Sequence, residues 1–126
     1  MTDLTKPDQI LKLQNAILKS DQQVDLITSH HFSKGLYARE LTIPAGVIVV
    51  GAKHLTTHMF MIVKGRCKVS SQFGEYEVEA PFIGETIPKT KRVILAITDC
   101  VWITFHPTDL TDVKEIEKAI LEPEDI

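Results

Sequence analysis

The chain lacks most of the features that mark easily recognised protein classes. It has two cysteines in 126 residues, Cys67 and Cys100. They are too far apart for a Cys-x-x-Cys pair, which excludes a redox motif or zinc knuckle of that type. Buried, reduced thiols in a cytosolic protein are the expectation for both. Long apolar runs are missing too. Stretches such as Val47–Val50 and Phe60–Val63 fall far short of a bilayer-spanning segment, so no membrane partner is expected. No excess of positive charge exists: the net charge is −3, which gives no electrostatic reason to expect nucleic acid or an acidic membrane surface. There is no Gly-rich phosphate loop, no His-Glu-x-x-His and no Gly-x-Ser-x-Gly. The opening Met-Thr-Asp-Leu-Thr-Lys carries no apolar stretch of the secretory kind, so the cytoplasm is the expected location.

What remains describes one small folded domain spanning residues 1–126. Apolar residues make up 44% and charged residues 25%, enough for a core and too balanced for disorder. Pro7 suits a first helical position, and Ile10, Leu13 and Ile17 recur on one face, widened by Leu11 and Leu18. This predicts a helix over about 7–19, packed on the domain or on a second copy. From Gln23 the period becomes two. Strands are predicted at Val24–Thr28, Leu36–Ile43, Val47–Ala52, Met59–Val63, Arg66–Ser71, Tyr76–Ala80, Arg92–Ile97 and Cys100–His106. Gln72-Phe73-Gly74-Glu75 and Thr98-Asp99 read as turns, and Pro81, Gly84 and Pro88 punctuate a connection. With no helix between them, these strands imply an antiparallel sandwich or closed barrel over about 23–107. A closing helix over about 111–121 can be capped by Thr111 or Asp112, with Glu115 three residues past Asp112 as a capping box, and stops at Glu122-Pro123.

The chemistry rests on histidine. Of His30, His31, His54, His58 and His106, the pair His54-x-x-x-His58 has helical chelate spacing, but its surroundings are β-branched. On a straight strand the two would sit roughly 13 Å apart, too far to share an ion. They converge only if Leu55-Thr56-Thr57 bends the chain. His30 and His31 are adjacent, point opposite ways on a strand, and read as surface or loop residues.

With that bend, the segment resembles the cupin superfamily. The first cupin motif runs Gly, five residues, His-x-His, three or four residues, Glu, six residues, Gly. Counting back from Gly65, His58 falls at the Glu position, His54 at the second His and Ala52 at the first, with Pro44-Ala45-Gly46 before the strand. Pro88-Lys89-Thr90-Lys91-Arg92-Val93 resembles the second motif, Thr90 standing for Gly and Val93 for its His. The resemblance covers about Leu36 to Pro107 and extends to short stand-alone cupin-like proteins, some of them phage-encoded. It implies a mainly β fold: a small antiparallel cupin-type β-barrel or jelly roll with flanking N-terminal and C-terminal helices, paired as a homodimer through edge strands. It also implies that the usual three-His, one-Glu site is altered.

His106 is the residue that could complete an altered site. Trp102 and Thr104 share its face. With a turn at Thr98-Asp99, Val93 would pair with Thr104 and bring His106 one step from the lost ligand position. Three imidazoles with an open position suit a divalent ion such as zinc, iron, nickel, manganese or copper. The plain alternative is that all three are ordinary polar residues. Ligand-binding candidates are Glu40, Arg92, Trp102 and Thr104, with Glu40 a fourth ligand or base if it faces inward. Lys89, Lys91 and Arg92 could hold an anion, or form a solvated loop. Three functions stay open: a metal-dependent pocket for a small molecule, a metal-free ligand-binding or sensor module, and a structural or assembly protein, phage-associated in one version, that uses the barrel as a scaffold.

Overall fold

The computed structural model describes residues 3–21 and 23–125. Helix α1 (Pro7–Lys19) is followed by strands β1 (Ile27–Ser33), β2 (Leu36–Ile43), β3 (Ile48–Val50), β4 (His58–Lys64), β5 (Arg66–Ser71), β6 (Gly74–Glu79), β7 (Phe82–Thr86), β8 (Arg92–Ala96) and β9 (Cys100–Pro107). Helix α2 (Val113–Ile120) and a 3-10 turn (Pro123–Asp125) close the chain. The Asp112 side chain caps α2 by accepting from the Glu115 backbone N–H at 3.2 Å, as its spacing predicts.

The strands form two sheets in the orders β1-β2-β9-β4-β7 and β3-β8-β5-β6. Every pairing is antiparallel. The sheets face each other as a jelly roll and do not close into a barrel. The first strand shifts from Val24–Thr28 to Ile27–Ser33, and two expectations about the sheets change. Residues 82–86, read as a connection, form β7 against β4. Gly84 permits this: a Cβ there would fall 2.6 Å from the Phe60 ring, so the bare backbone lets Phe60 lie across the strand. Second, β8 and β9 do not pair across Thr98-Asp99. β8 lies between β3 and β5, and β9 lies between β2 and β4, so Thr104 stands opposite Arg39 and Phe60 rather than Val93. Strand alternation is the same whichever sheet a strand joins, so the sequence could not separate these cases.

The core lies between the sheets, where Ile43, Phe60, Ile62, Cys67, Val69, Ala96, Cys100 and Trp102 are buried together. Both cysteines are buried and free, and burial pushes the Cys67 thiol up to about 12, so neither is a reactive thiolate. Gly65 sits at φ 91° between β4 and β5, where a Cβ would overlap the Asp99 carbonyl; only glycine fits that turn. A smaller cluster joins Tyr37 of β2 to Ile116, Ile120 and Leu121, seating α2 at one end of the sandwich. On α1 only Ile10 is buried, and Leu11 and Leu18 stay exposed. No described helix is long and apolar enough to cross a membrane.

Candidate metal centre

His54 and His58 flank a bend. His54 ends the run after β3 and bridges to Leu121 near the chain end; its carbonyl accepts from the Lys89 N–H at 2.8 Å, and the Leu55 N–H donates to the Ile120 carbonyl. These backbone bonds hold the turn at residues 55–57. His58 opens β4. His106 reaches the same place from β9, next to β4 in the sheet.

The three rings meet. Centroids of His54 and His58 are 4.4 Å apart, those of His58 and His106 4.6 Å, and those of His54 and His106 5.4 Å with the planes 7° apart. One nitrogen from each lies within 4.8 Å of the others. His58 is 4% exposed and His106 1%. Burial holds the His54 imidazole down to about 4, with the His58 charge adding to it, and holds His106 down to about 3. His58 is also lowered, again by burial first. All three rings are therefore neutral near pH 7, the state in which imidazole binds metal.

Each ring has one nitrogen turned to an oxygen. His58 Nδ1 lies 3.3 Å from the Thr56 carbonyl. Since a carbonyl only accepts, Nδ1 carries the proton and Nε2 keeps its lone pair. His106 Nε2 lies 3.0 Å from Thr104 Oγ1, and His54 bonds to the Ala52 backbone. His58 Nε2 and His106 Nδ1 are buried with no partner. Orphaned buried nitrogens are costly. Rings anchored through the far nitrogen, with the near one open, are the usual arrangement around a metal.

A cavity of about 470 Å³ adjoins the histidines. Arg39, Arg92, Trp102 and Thr104 all line it, as do Thr86 and Leu121. Arg92 Nη1 donates to Thr86 Oγ1 at 3.0 Å. Glu40 does not join them. It points to the outer face, with Oε1 3.3 Å from His31 Nε2, and Arg39 takes the inward side. Leu41 and Ile43 carried the signal that decides this: an apolar face shared by residues 41 and 43 is also the face of residue 39. His30 and His31 are exposed on strand β1, in line with the surface reading, and the Tyr37 hydroxyl is 2.6 Å from His30 Nδ1. The solvated loop expected at residues 89–92 is also revised. Lys91 is buried and its Nζ donates to Asp125 Oδ1 at 3.1 Å; Arg92 faces the cavity.

No protein-family model matches the chain, and no curated protein matches it by sequence. Solved structures do match by shape. A cupin superfamily protein from Desulfitobacterium hafniense DCB-2 superposes with a TM-score of 0.59 at 9% identity, over 73% of this chain and 85% of that one. A cupin 2 domain-containing protein from Halorhodospira halophila gives 0.58 at 12% identity, over 79% of each chain. Salicylate 1,2-dioxygenase from Pseudaminobacter salicylatoxidans gives 0.61 at 12% identity, over 89% of this chain and 33% of that one. The fold is a cupin fold.

Within the cupin fold, one correspondence drawn from the motifs needs correcting. Val93, placed at the lost second-motif His, points away from the cavity and lines the opposite side of its sheet with Leu95 and Lys68. The neighbouring Arg92 takes the inward place, followed by Ile94 and Ala96 in the core. Ala52 does line the cavity. The cluster of His54, His58 and His106 therefore stands without a contribution from β8 and could hold a metal.

Proposed function

We propose that this cupin-fold protein binds one divalent metal ion through His54, His58 and His106 and presents an open coordination position to a small molecule in the adjoining cavity. One observation carries the reading: three buried, neutral imidazoles converge, with His58 Nε2 and His106 Nδ1 left without a partner. The cupin fold shared with a salicylate 1,2-dioxygenase is in keeping with it. A donor set of imidazoles alone suits zinc, iron or nickel better than manganese, which favours oxygen. Bound there, such an ion supplies Lewis acidity and a point of attachment for a ligand oxygen.

The chain's own residues do the rest. The Thr56 carbonyl, Thr104 hydroxyl and Ala52 backbone fix the three rings through their outer nitrogens. The C-terminal segment walls the cavity: the Lys53 N–H donates to Asp125 Oδ2 at 2.8 Å, Lys91 Nζ donates to Oδ1, and the Glu122 N–H donates to the Lys53 carbonyl. Elemental analysis of the purified protein tests the reading. About one ion per chain is expected, lost in both His58→Ala and His106→Ala. Protein that stays free of metal after expression with zinc, iron, nickel and manganese supplied would overturn it.

A further inference from the structure

The cavity beside the histidines is lined by two arginines that, among the described residues, form no ion pair. Arg92 enters from β8. Its guanidinium carbon lies 4.7 Å from the Phe60 ring centroid and 5.3 Å from that of Trp102, rings that stack on each other at 4.5 Å. Among the described residues, its Nη1 donates to the Thr86 hydroxyl and its buried Nε has no partner. Arg39 lines the cavity from β2. Among the described residues, neither arginine forms an ion pair. The acidic groups at the cavity are otherwise placed: Asp125 is held by Lys91 and the Lys53 N–H, Asp25 is exposed, and Glu117 sits on α2, where its charge acts on Tyr37.

A guanidinium does not shed its proton, so burial leaves it charged. Thr86 and the aromatic faces offset part of that cost. A charge taken from water without an opposite charge stays unfavourable, and guanidinium's fork matches a carboxylate. Much of the remaining wall is apolar, from Leu41, Val49, Ile94, Trp102 and Leu121. A compact inorganic anion would leave that surface unfilled, whereas 470 Å³ lies within the range of small-molecule sites.

We propose that the cavity takes a small organic acid, a monocarboxylate with an apolar body, its carboxylate held by Arg92 and Arg39 and its body against Trp102, Ile94 and Leu121. This rests on reading the cavity as the ligand site, but not on the metal, because the arginines lie outside the histidine cluster.

Benzoate is the probe, and benzamide, the same shape without the charge, is the control. Each is titrated calorimetrically into full-length protein stripped of metal and into protein loaded with zinc, with metal content measured on the same batches. Saturable benzoate binding is expected, with benzamide at least about tenfold weaker. Arg92→Gln should weaken benzoate by about 10- to 100-fold, and Arg92→Lys by less, since it keeps the charge but not the fork. An unchanged circular dichroism spectrum shows that a variant has folded, and Arg39→Gln serves if Arg92→Gln does not. The proposal falls if benzoate binds neither form, if benzamide binds equally well, or if benzoate binding survives the arginine replacement. Protein that takes up no metal yet binds benzoate through Arg92 upholds this inference while the metal reading falls; metal-loaded protein that ignores benzoate does the reverse.

Discussion

The two ends of the sandwich are built from the same strands and follow opposite rules. At one end the inner face carries Ile43, Ile62, Val69, Ala96 and Cys100, all buried in one apolar cluster. At the other, the same faces carry Arg39 on β2, His58 on β4, Thr86 on β7, Arg92 on β8, and Thr104 and His106 on β9. The change falls at nearly one level. Register sets Leu41 and Ile62 opposite Trp102, and the next same-face step sets Arg39 and Phe60 opposite Thr104. Alternation along a strand decides only which side chains face inward. It does not decide whether the interior they meet is dry. The apolar end closes on itself and supplies stability. The polar end keeps buried nitrogens without partners, at a cost of about 1–3 kcal/mol each, and that cost is recovered only when something binds there.

Four measurements sharpen or break this contrast. The largest effect belongs to the dry end. Ile62→Ala should lower stability by about 2–5 kcal/mol in urea denaturation, as a fully buried side chain leaves a cavity, while the metal content of the folded protein stays the same. A loss of metal in that variant would mean that the two ends are not separable.

Acid comes next and acts on the polar end. In metal-free protein the folded-state values of His54 and His106, about 4 and about 3, lie below the unfolded value near 6.5. Between those limits the unfolded chain takes up protons that the folded chain refuses. Stability is therefore full above about pH 6.5 and falls as pH drops, down to about 4 for His54 and about 3 for His106. The slope is at most about 1.4 kcal/mol per pH unit for each histidine, less for the partly exposed His54. Unfolding midpoints measured in EDTA at pH 7 and pH 5 check this; equal midpoints would show that the rings are not held neutral by burial.

His106→Leu gives a smaller effect whose sign depends on metal. Without metal it removes an orphaned nitrogen and should be neutral or stabilising by about 1–3 kcal/mol. With metal at about a hundredfold excess over its dissociation constant, the wild-type protein gains about 2.7 kcal/mol that the variant cannot. Thermal unfolding with and without zinc reads both signs, and a variant destabilised equally in both conditions would make His106 a packing residue only. Smallest of all is Glu40→Gln. Its carboxylate faces outward to His31, so stability should change by less than about 0.5 kcal/mol and metal content not at all. Lost metal there would place Glu40 in the centre after all.

Much of this was legible in the chain. The helices at residues 7–19 and 113–120 follow from periodicity and an Asp112 cap, and most strands follow from alternation and turn residues. The bend at residues 55–57 followed from a conflict between strand texture and chelate spacing. What the sequence hid was of two kinds. Gly84 and its proline neighbours mask β7, because a glycine in a strand makes sense only once the Phe60 ring that crosses it is known. Thr86 and Leu121 are ordinary residues far apart in the chain, and nothing local marks either as cavity wall.

By itself, then, the sequence determined the element types, the faces of the strands and the pair His54–His58 as the place to look, because periodicity, capping and a sharp bend are local properties. Only the tertiary structure decided which sheet each strand joined. That choice put β9 beside β4, brought His106 to the pair and turned Arg92 inward in place of Val93. The physical reason is that a strand's edge offers the same backbone donors and acceptors to any neighbour. Partnership between strands is settled by how whole faces bury against one another, and no short stretch of residues contains that information.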